Sequence, residues 1–344
     1  MENRTMRFLA EVKDLASEVV RNARTAEILS SGGAVRYART MWAYSAASRF
    51  LGMKDYLYEA TEIKDYFLEH FMDHKFGGVY ASVNSLGERE DTVKKADVIA
   101  AGIFGLSEYA GAAHDDSTLR QAHNLFLYME KYLHDQNTGA YIEAKSRDWE
   151  TVLSDGKVTF NTMLHILEAY INLYKVGENE KVREATIALL DVLADKVQSG
   201  DGVSYASYNS DWTVADRSWN YGHQLSLGWL FVYAGYTLGD IDLINKLREK
   251  AHLSVKAGFQ GGRQADGSML KGQDAEANVN NDKPFWIQCE ALIAGLFMWK
   301  YNACPEGADK ALETWDSIKA GFPELANDLY HSVRLSGLVR QILK

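Results

Sequence analysis

Proline is almost absent from this chain, at three residues in 344, against a usual share of about 5%. Proline ends helices because it lacks an N–H and clashes with the preceding turn. Few β-branched stretches occur either, so the chain reads as mostly helical with few breaks. Apolar residues recur at three- and four-residue steps through roughly 5–28, 33–52, 55–74, 95–112, 116–133, 156–176, 179–198, 220–238, 240–256, 284–302, 305–320 and 323–343, which predicts about twelve helices.

The connections alternate in length. Long Gly- and Asp-rich segments, among them DHKFGGVYASVNSLGERED and SGDGVSYASYNSDWTVADRS, follow odd-numbered helices and precede even-numbered ones. Alternating apolar residues around glycine mark them as β-hairpins or long loops. This is the pattern of a repeated helical pair. One residue near the start of each even helix gives Arg39, Asp97, His165, His223, Trp286 and His331, and the 292 residues from first to last make five steps of about 58. Six pairs fill residues 1–344 as one domain. A closed ring of six hairpins, the all-α (α/α)6 barrel with short β-hairpins at one end, gathers the long loops over the inner-helix N-termini. Polar and aromatic residues would converge there on a pocket, helped by the positive ends of the helix dipoles. An open right-handed helical solenoid is the competing arrangement.

Composition narrows the partners. A net charge of -10 and a pI of about 5.4, with 37 Lys and Arg scattered along the chain, argue against nucleic acid, which needs a basic face. No apolar run approaches the ~20 residues of a membrane span. Only Cys289 and Cys304 are present, and the N-terminus alternates charged and apolar residues, so a reducing cytoplasm and no secretory leader are expected. An uncharged small molecule is the expected ligand, with the chain a monomer or homodimer.

Histidine titrates near neutrality, so His165, His223 and His331 at matching helix starts suggest a shared pocket for proton transfer. The other six, His70, His74, His114, His123, His134 and His252, lie outside that register and read as surface or structural. Glu143 and Asp148 read as loop-fixing groups.

Seven stretches carry a further signal: YARTMWAYSAASRF, DHKFGGVYASVNSLGE with GIFGLSEY, GAYIEAKSRDW, NTMLHILEAYINLYKV, WNYGHQLSLGWLF, KPFWIQCEAL and YHSVR. Together and in this order they resemble the N-acylglucosamine 2-epimerase family, most closely its cellobiose 2-epimerase and mannose-epimerising or isomerising members. The resemblance implies removal of the proton next to a sugar's aldehyde carbon, a cis-enediol(ate), and return of a proton, without metal or other cofactor. It casts His223 and His331 as the acid/base pair and His165 as the group that opens the ring or orients the open sugar. Arg39 is cast as the contact to the oxygens on carbons 1 and 2. Trp229 and Trp286 would pack on sugar faces, with Asn161, Glu290 and Arg334 as further substrate-binding groups; Asp97, at the matching start of its helix, is a further substrate-binding candidate or, after Lys94 and Lys95, a capping or pairing group on a solvated face.

The chain departs from the family's pattern in places. Ser226 stands where a glutamate is usual, Gln224 where an acidic residue follows the histidine, Asp97 and Ile99 replace tyrosine and glutamine, and Phe285 replaces a tryptophan. The hairpins preceding the arginine helix and the YHxxR segment are read as missing, which predicts a more open cleft without a disaccharide subsite. Two other functions fit the barrel: a glycoside hydrolase using Asp97 and Glu290 across the cleft, and a non-catalytic sugar-binding relative of the epimerases.

Overall fold

The computed structural model describes residues 2–22, 33–321 and 328–343. Among them run twelve α-helices: α1 (Glu2–Asn22), α2 (Ala34–Ala46), α3 (Tyr56–Tyr66), α4 (Ala96–Ala113), α5 (Asp116–Tyr132), α6 (Phe160–Gly177), α7 (Glu180–Val192), α8 (Tyr221–Leu238), α9 (Ile241–Gly262), α10 (Phe285–Tyr301), α11 (Glu306–Gly321) and α12 (Leu329–Ile342). Single π-helical turns at Ala47–Leu51, Phe67–Phe71 and Leu193–Val197 extend α2, α3 and α7. The reading that two hairpins are missing falls on residues 23–32 and 322–327, which lie outside the described residues.

The even-numbered helices form an inner ring. Each contacts the next, from α2 to α4, α6, α8, α10 and α12, and α12 packs back on α2 to close it. Each odd-numbered helix covers one inner helix, α3 on α2 and so on to α11 on α10, with α1 on α12. The sequence explains the layers. Inner helices meet neighbours on every side, and α10 is buried continuously from Ile287 to Met298. Outer helices such as α5 bury only one stripe, including Leu125, Phe126 and Met129, as an amphipathic helix should.

Short strands tie the loops to the inner-helix starts. β1 (Lys94–Lys95) pairs with β2 (Ala144–Lys145), β3 (Val158–Thr159) with β4 (Ser207–Tyr208), and β5 (Trp219–Asn220) with β6 (Gly272–Gln273), while Gly33 bridges Ser82. At each of these four joints the first helical N–H donates to a carbonyl of the following loop: Ala34 to Ala81, Ala96 to Glu143, Phe160 to Ala206 and Tyr221 to Lys271, each at 3.0 Å. A helix start leaves N–H groups unsatisfied, and here the next repeat satisfies one of them. A buried cluster adds a further tie between loops, with Asp73 accepting from Lys94 Nζ at 2.9 Å and Arg147 Nε at 2.8 Å.

The periodicity ended the ninth helix at residue 256, but α9 runs to Gly262. The glycines of GFQGG, read as breakers, are packing positions: a Cβ on Gly261 or Gly262 would lie 2.5 or 2.6 Å from the Tyr221 ring. Gly105 marks the closest approach within the ring, where a Cβ would sit 2.5 Å from the Ala38 carbonyl oxygen of α2. That atom belongs to the backbone and cannot swing aside. Gly105→Ala is expected to cost about 1–3 kcal/mol by overpacking, read by chemical denaturation, whereas Gly200→Ala, with open space around it, should change stability little.

Candidate active site

The loop end of the ring opens into a cavity of about 290 Å3 lined by Arg39, Asn161, Leu164, His165, Glu168, His223, Ser226, Leu230, Trp286, Glu290, Tyr330, His331 and Arg334. Five of the six inner helices contribute; α4 does not. Three imidazoles and two guanidiniums therefore face one small volume.

Capping places two of the histidines alike. Asn220 Oδ1 accepts the His223 N–H at 3.1 Å and Asp328 Oδ1 accepts the His331 N–H at 3.0 Å, so each is the third residue of its helix. Arg39 and His165 are each the sixth residue of theirs, about one turn deeper at 1.5 Å per residue. The six aligned positions thus form two levels. Trp286 touches both upper histidines, with ring centroids 5.3 Å from His223 and 6.2 Å from His331. On the lower level Arg39 Nη2 donates to His165 Nε2 at 3.4 Å, and its guanidinium lies 5.0 Å from the centre of the Tyr330 ring.

A buried charge network forms the floor. Arg334 Nη1 lies 2.9 Å from Glu168 Oε1 and Nη2 lies 3.3 Å from Glu290 Oε1. Arg334 Nη1 also donates to the Tyr330 hydroxyl at 2.8 Å, which donates to Glu168 at 3.1 Å. Burial pushes the Glu168 carboxyl up, but the Arg334 charge, the nearby His165 with Nδ1 at 3.9 Å, and the Arg39 charge outweigh it and hold the group at about 2. Glu290 Oε2 accepts from Ser226 Oγ and Trp229 Nε1, each at 2.7 Å.

The two upper histidines have different surroundings. His331 Nδ1 is 2.9 and 2.8 Å from the two Asp328 oxygens. Burial raises the Asp328 carboxyl, but the bonds and charge of His331, and beyond them the Arg39 charge, bring it below the usual range. Among the described residues His223 has no carboxylate partner. Burial first, and the His165 charge second, push it from 6.5 down to about 3, so it is neutral at physiological pH.

Of the ten residues singled out from sequence, Arg39, Asn161, His165, His223, Trp286, Glu290, His331 and Arg334 meet at the cavity. Trp229 does not line it. Six residues beyond His223 is about 9 Å down the helix, and there the indole is 2% exposed, donates to Glu290 and lies under the Arg334 guanidinium. It supports the carboxylate and has no sugar face to offer. Asp97, the second residue of α4, is also absent from the cavity wall. Gln224 is buried away from it, its amide accepting the Ser204 N–H at 2.9 Å and donating to the Ser204 carbonyl at 2.7 Å. Glu143 fixes a helix start by accepting from the Thr159 N–H at 2.7 Å and the Thr162 hydroxyl at 2.7 Å.

Glu168, Tyr330 and Asp328 belong to the site and escaped the sequence reading. Two of them had a signal: Glu168 is a charge three residues after His165 within an apolar run of an inner helix, and Asp328 is an N-cap type three residues before His331.

Residues 22–326 match the N-acylglucosamine 2-epimerase (GlcNAc 2-epimerase) family. The chain is 31% identical over 317 residues to a cellobiose 2-epimerase of Bacteroides fragilis, covering 89% of this chain and 80% of that one. It is 29% identical over 296 residues to a cellobiose 2-epimerase of Ruminococcus albus, covering 83% and 75%. The solved cellobiose 2-epimerase of Bacillus thermoamylovorans superposes with a TM-score of 0.83 at 25% identity, covering 90% of this chain and 88% of that one. With the (α/α)6 barrel, these likenesses identify the chain as a carbohydrate epimerase of the N-acylglucosamine 2-epimerase family.

Proposed function

We propose that the protein is a cofactor-independent sugar 2-epimerase, or aldose–ketose isomerase, acting on an unmodified aldose such as glucose or mannose or on a short β-linked glucoside. The carrying observation is the convergence of His165, His223, His331 and Arg39 on one cavity. A proton next to a carbonyl is weakly acidic, so its removal needs a base near neutrality and a cation or donor facing the developing oxyanion. His223 and His331 on opposite faces of carbon 2 would invert it by one taking a proton while the other supplies one. Arg39, bonded to His165, is set to meet the enediolate oxygens.

The longer-substrate reading draws on the rim. Past His223 and Asn161 the cavity continues into a groove of about 560 Å3 whose wall includes Ser218, Trp219, Asn220, Gln273 and Asn280. These neutral donors and acceptors beside an indole, with Lys271 and Asp274 as the charged groups of the wall, suit a second sugar ring and supply room that the shortened rim had argued against. The hydrolase alternative is poorly served. Asp97 is off the cavity, and Glu290 is committed to Arg334, Ser226 and Trp229, which among the described residues leaves no free pair of facing carboxylates.

Proton NMR in D2O with glucose, mannose, cellobiose and N-acetylmannosamine is expected to show deuterium entering carbon 2 of an unmodified sugar. His223→Ala and His331→Ala should each lower inversion by about 10²–10⁴. No exchange in any sugar, or full activity in the double variant, would overturn the assignment. His223 also carries a stability signature. The unfolded histidine takes up a proton below 6.5 and the folded one resists until about 3, so stability falls as pH drops through that window, by up to about 1.4 kcal/mol per unit. Denaturation series at pH 7, 6, 5 and 4 should show His223→Gln losing less stability than the parent; parallel curves would contradict a buried neutral His223.

A further inference from the structure

The starts of α8 and α12 are built on one plan and differ in one functional group. Each histidine donates its backbone N–H to the oxygen of a capping side chain three residues earlier, Asn220 for His223 and Asp328 for His331. The carboxylate does something the amide does not: both its oxygens also sit within 2.9 Å of the His331 ring at Nδ1. Among the described residues nothing is hydrogen-bonded to the His223 ring. An ionised carboxylate only accepts, so Nδ1 of His331 carries a hydrogen, and Nε2 is the nitrogen left for the cavity. The local charge points the same way. An Asp328 oxygen stands 2.8 Å from the His331 ring, and among the described residues no carboxylate is paired with the His223 ring.

We propose that Asp328 is a positioning residue that makes His331 the proton-carrying member of the pair, holding its imidazolium with Nδ1–H on the carboxylate and Nε2–H toward the sugar, while His223 begins turnover neutral. The inference rests on the epimerase reading and assigns its two histidines different tasks. In the step, the carbon 2–hydrogen bond breaks, its proton passes to His223 and its electron pair enters the enediolate. His331 then gives its Nε2 proton to the opposite face of carbon 2, forming the new bond, and keeps Nδ1–H on Asp328. One proton leaves the sugar, one arrives, and exchange with solvent resets the histidines.

Asp328→Asn tests this without removing the helix cap, since Asn220 already performs that task in the same fold. Two readouts are needed: inversion against deuterium wash-in at carbon 2 in D2O, and the ring nitrogen signals of 15N-histidine-labelled protein. Loss of the acid should lower inversion by about 100-fold, with KM within about threefold. Proton abstraction by His223 and return to the same face should persist, so the ratio of inversion to wash-in should fall by about tenfold or more. The His331 ring should change from doubly protonated to neutral while His223 stays neutral. A merely structural role would lower inversion and wash-in together. That result, or an unchanged rate with unchanged His331 signals, overturns the proposal while leaving the epimerase reading intact. If the parent protein exchanges no sugar, the epimerase reading fails and the nitrogen signals alone decide whether Asp328 holds a charged His331.

Discussion

Arg334 is the group on which the site's construction rests. It is 7% exposed, and its guanidinium joins Glu168 of α6 and Glu290 of α10 from its own place on α12. Three helices of the ring are therefore tied through one cation just beneath the cavity. A buried charge is tolerated only when paired and hydrogen-bonded, and removing one partner of such a pair costs about 3–5 kcal/mol. The fork of a guanidinium suits this task, because it reaches two carboxylates and a hydroxyl at fixed angles where an ammonium would offer a point charge. With Glu168 and Glu290 engaged below, the open part of the cavity is left to imidazoles, Arg39, Asn161 and Trp286.

That floor also gives a physical sense to Ser226. The hydroxyl has one proton, and although the Gly222 carbonyl lies 3.0 Å away, the Glu290 carboxylate at 2.7 Å is the stronger acceptor. Serine thus completes the shell of Glu290 and places no charge beside His223. A glutamate at the same position would sit against Glu290, with two carboxylates competing for Arg334, and would favour a charged His223. The substitution moves the site's negative charge away from that histidine, and Asp328 concentrates it at the other.

The fold was legible because ring closure leaves a periodic mark. Inner helices are apolar around their circumference, outer ones on a stripe, and long loops return at every second connection, so six pairs could be counted before any contact was known. The hairpins were legible as loops, but their docking on the preceding helix starts was not, since four backbone hydrogen bonds leave no residue signature. The errors in the site come from depth. Matching residues by motif assigns an angle around the ring and says little about height, so Arg39 and His165 fall one turn below His223 and His331, and Trp229 falls beneath the floor. Glu168 was overlooked for the opposite reason: HILEAY reads as core, and Arg334 and Tyr330, which engage its carboxylate, lie far away in sequence.

The repeat also shows how a symmetric plan yields chemistry that needs asymmetry. In the proposed epimerisation, inverting a carbon requires a group on each face, and two equivalent helix starts would supply them. A base and an acid must nevertheless differ in charge at the same pH. In the α8 and α12 starts the backbone geometry is shared while the capping side chain differs between an amide and a carboxylate of nearly the same shape. Either cap satisfies the helix N–H groups, so the fold is indifferent to the choice. Only the carboxylate reaches back to the imidazole with a negative charge, and a position that the helix constrains only to be a capping type is thereby free to set the charge of the histidine above it.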